Sequence, residues 1–399
     1  MKTSCWLVEL VSPQHDGRKV STMTTVSLTP PPTQQLESMP LPVTHASVPH
    51  RVQASYTTRF VGAAMDARPA DFHLRSGETV VPRSGDVVIA RVTEILNHKR
   101  VETPESRKAI LFEGALIMLA YGNRYAADQF LAHVPDSLEP CHLVAAGGIA
   151  GVVTESHEKM DDPTVIEPIG LLADHNGVVN ISQFAPYQTP GELDEGPAAG
   201  ADQRRPEVIA VLGTAMNSGK STTMACLING LTQSGRSVGA GKITGTGAGN
   251  DPMIYHDAGA DHVMDFTDFG YPTTFRLAMP QLRALTVGVV QQLAQANSDV
   301  VVVEIADGIY QEETAQLLRD ELFQQTVDQV VFAASDALGA RAGVQELQAA
   351  GLRVAVASGV MTSSPLATVE ARGVLDNVPV IPTFDLTQPE CATGLLVRS

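Results

Sequence analysis

Residues Val208–Leu231, VIAVLGTAMNSGKSTTMACLINGL, decide the fold of the second half of the chain. The stretch begins as an apolar run and passes through a loop that ends in Gly219-Lys220-Ser221. A helical segment follows and extends past the stretch to about Ser234. A buried strand, a glycine-bearing loop and a helix form the context of a phosphate-binding loop, because backbone N–H groups and the helix N-terminus surround the phosphates. The stretch therefore predicts a nucleotide site rather than a glycine-rich turn without a ligand.

The lysine and the serine of this loop have separate expected roles. Lys220 is expected to hold the β- and γ-phosphates, and Ser221 to bind Mg²⁺. Five residues separate Gly213 from Gly219, whereas the usual phosphate-binding loop has four. The early glycine therefore limits the candidates to P-loop families whose loop has this spacing. The residues predicted to contact the nucleotide are Gly213, Thr214, Asn217, Ser218, Gly219, Lys220, Ser221 and Thr222.

The loop GTAMNSGKS resembles the G-T-x-x-x-x-G-K-[ST] loop of dethiobiotin synthetase and its relatives. Two later segments, VGAGKITGTG and VVVEIADG, are similar to apolar strands of that family, and the likeness covers about residues 208–385. It implies that Lys242 faces the reacting phosphate and the substrate, and that Glu304 binds magnesium. It further implies an enzyme that uses Mg²⁺ and ATP to phosphorylate a carboxylate or carbamate, leading to ligation, cyclisation or acyl transfer.

Two features depart from that family. Residues 305–308, Ile-Ala-Asp-Gly, replace its glycine-rich turn, and ASGVMTSS contains no counterpart of its base-recognising asparagine, so GTP is not excluded. A second P-loop family, long catalogued as of unknown function and including D-amino-acid N-acyltransferases, has a similar loop behind an N-terminal domain. Two other functions therefore stay open: an NTP-hydrolysing switch or adaptor for cofactor or metal assembly, and an N-acyltransferase that holds acyl-CoA at the loop.

Acidic residues and a second lysine add candidate ligands. Glu304 ends a run of valines, where a lone charge is costly to bury, and Mg²⁺ would supply its partner. Asp307 is either a further ligand or a turn residue, and Asp257 is an alternative to Asp251. We expect catalysis from Lys220, Lys242 and Glu304, and metal ligation from Ser221, Asp251 and Glu304.

Apolar segments alternate with helical segments from Glu207 onward, among them EVIAVLG, DVVVVEIAD and QVVFAAS. This alternation predicts a doubly wound α/β domain with a mostly parallel sheet over residues 207–399. Short strands separated by turn signals over residues 57–184 predict a smaller β-rich domain, either a small barrel or an α+β module. Residues 185–206 have the composition of a linker and residues 1–56 that of a disordered segment, within which Met23 is an alternative start to Met1.

One charged side chain of the first domain is a further candidate. Arg124 lies in YGNRYAADQF, which the pattern places in a loop after a strand. An arginine in that position either meets a carboxylate or phosphate of a ligand, or pairs with Asp128 inside the turn. The sequence leaves both readings open.

Composition limits the choice of partners. The formal net charge of −17 argues against nucleic acid and anionic membranes, because both would repel the chain. Four cysteines without a C-x-x-C pair suit a reduced cytoplasmic protein better than a disulfide or zinc scaffold. No apolar run approaches the roughly 18 residues of a membrane helix. We expect a small-molecule partner, a carboxylate or amine metabolite, and a homodimer is an open alternative.

Overall fold

The computed structural model describes residues 43–190 and 205–397. Most of the predicted disordered segment, both candidate start residues and most of the predicted linker lie outside these ranges. Within the same ranges, no helix is both long enough and apolar enough to cross a membrane.

A mixed sheet forms the first part of the described chain. The helix α1 (Arg59–Ala67) follows the second strand, and the strands β5 and β6 pair only with each other. The strands are β1 (Thr44–Ser47), β2 (Gln53–Ala54), β3 (His73–Ser76), β4 (Val87–Glu94), β5 (Arg100–Glu102), β6 (Lys108–Ile110), β7 (Leu116–Tyr121), β8 (Arg124–Tyr125), β9 (Phe130–His133), β10 (Cys141–Ala145), β11 (Ile149–Ser156), β12 (Thr164–Asp174) and β13 (Gly177–Val178).

Five of these strands close into a small barrel. β12 pairs with β4, β4 with β7, β7 with β11, β11 with β10, and β10 returns to β12. Only the β7–β11 pair is parallel among these five. Alternate residues of β4, namely Val88, Ala90 and Val92, share one buried cluster with residues of the other four strands, which is the pattern of a filled barrel interior. The small barrel is one of the two architectures that the strand pattern predicted.

Residues 43–56 belong to this fold, so the prediction of disorder to residue 56 is wrong for them. β1 pairs with β3 over four residues, and β2 pairs with β7, where Gln53 lies opposite Ile117. Val52 and Ala54 pack against the cluster that covers the outside of the barrel. These residues show no hydrophobic period of their own, and hydrogen bonds to strands distant in sequence order them.

A second sheet forms the rest of the described chain. Its strands are β14 (Glu207–Gly213), β15 (Val238–Lys242), β16 (His262–Asp265), β17 (Val300–Glu304), β18 (Gln329–Ala333) and β19 (Val354–Ser358). Its helices are α2 (Lys220–Gln233), α3 (Asn250–Asp257), α4 (Met279–Gln295), α5 (Glu312–Leu317), α6 (Glu321–Thr326), α7 (Ala337–Ala349), α8 (Pro365–Val374) and α9 (Pro389–Thr393).

All strand pairs of the second sheet are parallel, in the order β16-β15-β17-β14-β18-β19. Along β14, Val208, Ala210 and Leu212 point into one hydrophobic cluster, while Ile209 and Val211 point into another. Apolar residues on both faces of a strand mean that helices cover both faces of the sheet. The predicted doubly wound α/β class is confirmed, and the carboxyl ends of its parallel strands meet at one edge, where ligands of such sheets bind.

The two sheets belong to one compact unit. The Tyr56 hydroxyl donates to the Asp265 carboxylate at 2.9 Å, across the boundary between the sheets. The backbones also meet closely, because a Cβ at Gly147 would lie only 1.9 Å from the Gly247 carbonyl oxygen. The first sheet is therefore packed directly on the segment that follows β15.

Candidate nucleotide site

The phosphate loop, residues 214–219, joins β14 to α2. Asn217 and Gly219 have φ angles of 61° and 95°, so the backbone passes through left-handed conformations just before the helix begins. A Cβ at Gly213 would lie 2.2 Å from Ser218 Oγ and 3.0 Å from the Ala333 carbonyl oxygen. The early glycine is therefore required by the close packing of the loop against the ends of β14 and β18.

Two hydroxyls of the loop have no hydrogen-bond partner among the described residues. Thr214 Oγ1 and Ser218 Oγ are both buried, and both residues were predicted to contact a nucleotide. A buried hydroxyl left without a partner costs about 1–3 kcal/mol. An anion held in the loop would give these hydroxyls an acceptor, so the loop fits the predicted ligand. Thr222, the last residue of the predicted set, is exposed on α2.

The side chain of Lys220 folds back over the loop. Its Nζ donates to the Ala215 carbonyl oxygen at 2.9 Å, and the residue is buried. Burial lowers the pKa of Lys220, while the charges of Glu304 and Asp307 oppose that effect. The ammonium group is thus held against the loop backbone with carboxylates nearby.

Glu304 is the centre of a polar cluster at the end of β17. Its Oε2 accepts hydrogen bonds from Ser221 Oγ, at 2.9 Å, and from the Tyr255 phenol. Its Oε1 lies 3.3 Å from Lys242 Nζ, which also pairs with Asp251. The side chain of Glu304 is 2% exposed. The structure therefore brings together Ser221, Lys242, Asp251 and Glu304, which the sequence placed in separate segments.

The parallel sheet explains why two of these residues meet. β15 and β17 are neighbours, and their register sets Lys242 opposite Glu304 at the carboxyl end of both strands. Ser221 reaches the same point from the first turn of α2, which follows the adjacent strand β14. Asp251 arrives on α3, directly after the glycine-rich segment that leaves β15.

Charges in the cluster are balanced by ion pairs. Burial alone would lower the pKa of Lys242, but Glu304 and Asp251 outweigh it and raise that pKa above its usual value. Burial disfavours an ionised Asp251, yet Lys242 more than offsets this and lowers the pKa of Asp251. Burial and the charge of Glu304 raise the pKa of Tyr255. At neutral pH, Lys242 is an ammonium, Asp251 a carboxylate and Tyr255 a neutral hydrogen-bond donor.

The donor atoms of this cluster suit magnesium. Over residues 43–190 and 205–397, no group of three His, Cys, Asp or Glu side chains is arranged to hold a metal by itself. Ser221, Asp251 and Glu304 nevertheless supply hydroxyl and carboxylate oxygens to one cluster. Mg²⁺ prefers oxygen ligands and is commonly held by one or two carboxylates together with water and substrate phosphates. The residues therefore fit a Mg²⁺ ion that binds together with a nucleotide. Asp257, the alternative ligand, is exposed beside His256 and takes no part in the cluster.

The first sheet also reaches the phosphate loop. The Asn217 side-chain amide, predicted to contact nucleotide, donates to the Asp128 carboxylate. The other oxygen of that carboxylate, Asp128 Oδ1, is buried without a hydrogen-bond partner in the described part of the chain. A negative charge of the first sheet thus lies against the loop that is expected to hold phosphates.

Arg124 does not pair with Asp128, and that reading of its turn is wrong. The guanidinium donates to the Val144 carbonyl oxygen and to Gln129 Oε1, the latter at 2.7 Å. Burial lowers the pKa of Arg124 to about 10, and the charges of Asp307 and Asp128 oppose that effect. The arginine is therefore bound within its own sheet region, while Asp128 accepts from Asn217.

A small cavity of about 20 Å³, room for about one water molecule, lies between the two sheets, next to the cluster. Gly245 lines it, and a Cβ at Gly245 would lie 3.7 Å from Lys242 Nζ, so the cavity adjoins that lysine. Burial raises the pKa of Asp307, which also lines the cavity, while Lys220 and Lys242 oppose that effect. The remaining lining residues are Tyr125, Thr244, Thr246, Thr273, Thr274, Phe275, Ala306, Gln311 and Glu313.

Sequence reasoning missed three residues of the site. Tyr255 stands four residues after Asp251, a spacing that places both on one face of a helix, and that spacing is a signal from which it can be found. Asp128, between β8 and β9, and Glu102, at the end of β5, approach the site only through the packing of residues 43–190 on the second sheet and its helices. No local pattern around either residue indicates such a contact.

No family model matches the chain, and neither does any curated protein. Solved structures that match include the signal recognition particle receptor FtsY of Elizabethkingia anophelis in complex with GDP, at 18% identity and a TM-score of 0.34, over 51% of this chain and 69% of that one. They also include the signal recognition particle 54 kDa protein of Aeropyrum pernix in complex with GDP, at 16% identity and a TM-score of 0.33, over 51% and 49%. The cell division protein FtsY of Thermotoga maritima matches at 16% identity and a TM-score of 0.33, over 55% and 75%.

Likeness at this level says nothing about the activity of the chain. The P-loop arrangement instead rests on β14, the loop and α2, which follow one another in a parallel sheet. At that coarse level, the second sheet and its helices have the fold of a P-loop nucleotide-binding domain.

Proposed function

We propose that this protein binds a Mg²⁺–nucleoside triphosphate at the phosphate loop and breaks the bond to its γ-phosphoryl group. The observation that supports this most is the 2.9 Å hydrogen bond between Ser221 Oγ and Glu304 Oε2, at the start of the helix that the phosphate loop opens. A hydroxyl at that position together with a carboxylate at the end of the neighbouring strand is the donor pair that Mg²⁺ requires beside the phosphates.

Some residues of the site would bind the phosphates, and others would stabilise their negative charge. The loop N–H groups, Thr214 and Ser218 receive the phosphate oxygens, and Lys220 exchanges its backbone acceptor for one of them. Lys242, which pairs with Glu304 and Asp251, contributes a second positive charge. Ser221 and Glu304 would hold Mg²⁺, which would supply further positive charge to the phosphoryl group. Phosphoryl transfer depends mainly on such positioning and neutralisation of charge.

Two more specific functions are compatible with this site, and we favour NTP hydrolysis that drives a conformational switch. The contact between Asn217 and Asp128 supports it, because a nucleotide in the loop changes the surroundings of a residue that belongs to the other sheet. Phosphate charge near Asp128 is repulsive, so nucleotide binding and release would act on the packing of the first sheet. ATP and GTP are both candidates, because the phosphate loop and the polar cluster would bind phosphates and Mg²⁺, which the two nucleotides share.

Transfer to a small acceptor is the second candidate. The small cavity beside Lys242 supports it, because one functional group of an acceptor, about the size of a water molecule, would fit there next to the phosphates. Asp307 and Glu313 line this cavity and would repel a free carboxylate, whereas an amino or hydroxyl group would be accommodated. The carboxylate or carbamate substrate that the dethiobiotin synthetase resemblance implies is therefore less well supported than a neutral or cationic acceptor.

The test is NTP turnover by the full-length chain, measured as ADP and GDP release with and without Mg²⁺. We expect Mg²⁺-dependent release that falls at least about 100-fold in Lys220→Ala, because removing one preorganised positive charge from phosphoryl transfer costs that much or more. Lys159→Ala, an exposed lysine, serves as the matched control and should keep wild-type turnover.

A metabolite panel separates the two candidates. Stimulation by amines or alcohols, with transfer of phosphate to them, would favour the acceptor enzyme, whereas unstimulated release would favour the switch. Acyl-CoA binding without affinity for either ATP or GTP would overturn the proposal and support acyl transfer at the loop. Equal turnover in the wild type and Lys220→Ala would overturn it as well.

A further inference from the structure

Glu102 is the last residue of β5, in the first sheet region (residues 43–190). Its side chain contacts the second sheet region (residues 205–397). The residue is 3% exposed, and its Oε2 accepts a hydrogen bond from the Gly249 backbone N–H at 2.8 Å. Its own N–H donates to the Ala146 carbonyl oxygen at 2.8 Å, which ties Glu102 to the barrel. A buried carboxylate is costly unless it has such partners, so this contact is a specific one.

Gly249 immediately precedes α3 and is held tightly by the first sheet region. A Cβ at Gly249 would lie 2.0 Å from Ser106 Oγ and 2.8 Å from Tyr56 Cδ2. The N–H of Gly249 is one of the groups at a helix start that has no partner within the helix, and Glu102 supplies that partner. The start of α3 is therefore placed by residues outside the P-loop domain.

α3 carries two side chains that reach the polar cluster. Asp251 and Tyr255 are four residues apart, so they lie on the same face of the helix. Asp251 pairs with Lys242, and the Tyr255 phenol donates to Glu304. A displacement of the helix would therefore disturb the lysine and the carboxylate of the site at once.

We propose that Glu102 is a positioning residue of the nucleotide site, which acts through α3 to hold Asp251 against Lys242 and Tyr255 against Glu304. The inference rests on the proposed function in so far as Lys242 and Glu304 serve nucleotide and metal. Beyond the proposed function, the inference gives the first sheet region a role in positioning the site residues, although Glu102 would touch neither nucleotide nor metal.

The test compares Glu102→Ala with Glu102→Gln in the full-length chain. The glutamine keeps an oxygen that accepts from the Gly249 N–H, while the alanine removes it. We expect Glu102→Ala to raise the Mg²⁺ concentration for half-maximal turnover by about 10–100-fold, since loss of groups that orient metal ligands typically has that effect. In Glu102→Gln, the Mg²⁺ concentration for half-maximal turnover should return most of the way to the wild-type value. Glu94→Ala, which changes an exposed glutamate of β4, should resemble the wild type.

Hydrogen exchange at residues 249–257 gives a second readout, which requires no nucleotide. We expect faster exchange there in Glu102→Ala than in Glu102→Gln, because the helix loses its anchor and opens locally more often. Tyr255→Phe should reproduce the Mg²⁺ effect without the faster exchange, since it removes only the contact to Glu304.

The two readouts distinguish failure of this inference from failure of the proposed function. Absence of NTP turnover in the wild type would overturn the proposed function. Hydrogen exchange at residues 249–257 would then still test the link between Glu102 and α3. Wild-type exchange and wild-type Mg²⁺ dependence in Glu102→Ala would overturn the inference. If Glu102→Ala fails to fold, Glu102→Asp replaces it, because the shorter side chain withdraws the carboxylate from Gly249 while keeping the charge. Glu102→Asp with wild-type exchange and Mg²⁺ dependence would then overturn it.

Discussion

Ser221 Oγ and Glu304 Oε2 lie 2.9 Å apart, although the two residues are 83 positions apart in the chain. Ser221 is in the first turn of α2, and Glu304 is the last residue of β17, the strand beside β14. The parallel sheet thus places the hydroxyl that follows the phosphate loop next to a buried carboxylate. The proposed magnesium site depends on this pair.

Glu304→Gln tests the carboxylate of that pair. The amide keeps the size of the side chain but loses the negative charge that Mg²⁺ requires, and it leaves Lys242 with only Asp251 as a partner. We expect the Mg²⁺ concentration for half-maximal turnover to rise by at least about tenfold, with nucleotide binding partly retained. Titration of turnover with Mg²⁺, and binding of a fluorescent nucleotide with and without Mg²⁺, would measure the two effects. Glu370→Gln, an exposed residue of α8, is the control, and a wild-type Mg²⁺ profile in Glu304→Gln would remove Glu304 from the site.

Asp128→Asn tests the charge that the first sheet places at the phosphate loop. The asparagine still has an oxygen that accepts from Asn217, but it no longer repels phosphate. We expect nucleotide to bind about two- to tenfold more tightly at low ionic strength, with a smaller gain at high salt because screening weakens the repulsion. Binding isotherms at two salt concentrations would show this. Asp136→Asn, an exposed residue of the same sheet region, should change nothing, and weaker binding in Asp128→Asn would contradict the prediction.

Gly147→Ala tests the close contact between the two sheets. The added Cβ would lie 1.9 Å from the Gly247 carbonyl oxygen, which is backbone and cannot rotate away. We expect the free energy of unfolding to fall by about 1–3 kcal/mol, as for other overpacked contacts. Chemical denaturation is the measurement. Gly373→Ala, where nothing lies within 4 Å of the added Cβ, is the control and should leave the protein at least as stable.

His98 predicts a loss of stability in mild acid. Burial, assisted by the charge of Arg124, lowers the pKa of His98 to about 4, below its usual value of 6.5. Because the folded protein then binds this proton less readily than the unfolded chain, the stabilising effect is complete above pH 6.5. It declines as the pH falls from 6.5 towards 4, by about 1–2 kcal/mol at pH 5.

Denaturant unfolding at pH 7.5 and pH 5 measures this effect. The difference between the two free energies of unfolding should shrink in His98→Gln, which cannot take up the proton. The same difference in His175→Gln, an exposed histidine, should match the wild type. An unchanged pH dependence in His98→Gln would show that other groups cause the acid sensitivity.

Much of the fold and part of the site follow from short-range patterns. The apolar run, loop and helix around Lys220 are consecutive in the chain, so their order alone predicts the phosphate loop. The resemblance to dethiobiotin synthetase implies the roles of Lys242 and Glu304, and each residue ends an apolar segment, whose ends gather at one edge of a parallel sheet. The phosphate-loop motif predicts Ser221, and the acidic segment that follows the glycine-rich turn after Lys242 predicts Asp251. The prediction was wrong for residues 43–56, whose order comes from strands elsewhere in the chain.

Local pattern determined which residues have the chemistry of a nucleotide site, because propensity and periodicity act between neighbours along the chain. Tertiary structure alone decided how the first sheet takes part. The contacts of Asp128 with Asn217 and of Glu102 with Gly249 join residues 89 and 147 positions apart. Such contacts depend on how two independently paired sheets pack, and packing is set by the shapes and volumes of both surfaces together. The need for Gly213 likewise arises from the Ser218 side chain and the Ala333 carbonyl, which surround it only in the folded protein.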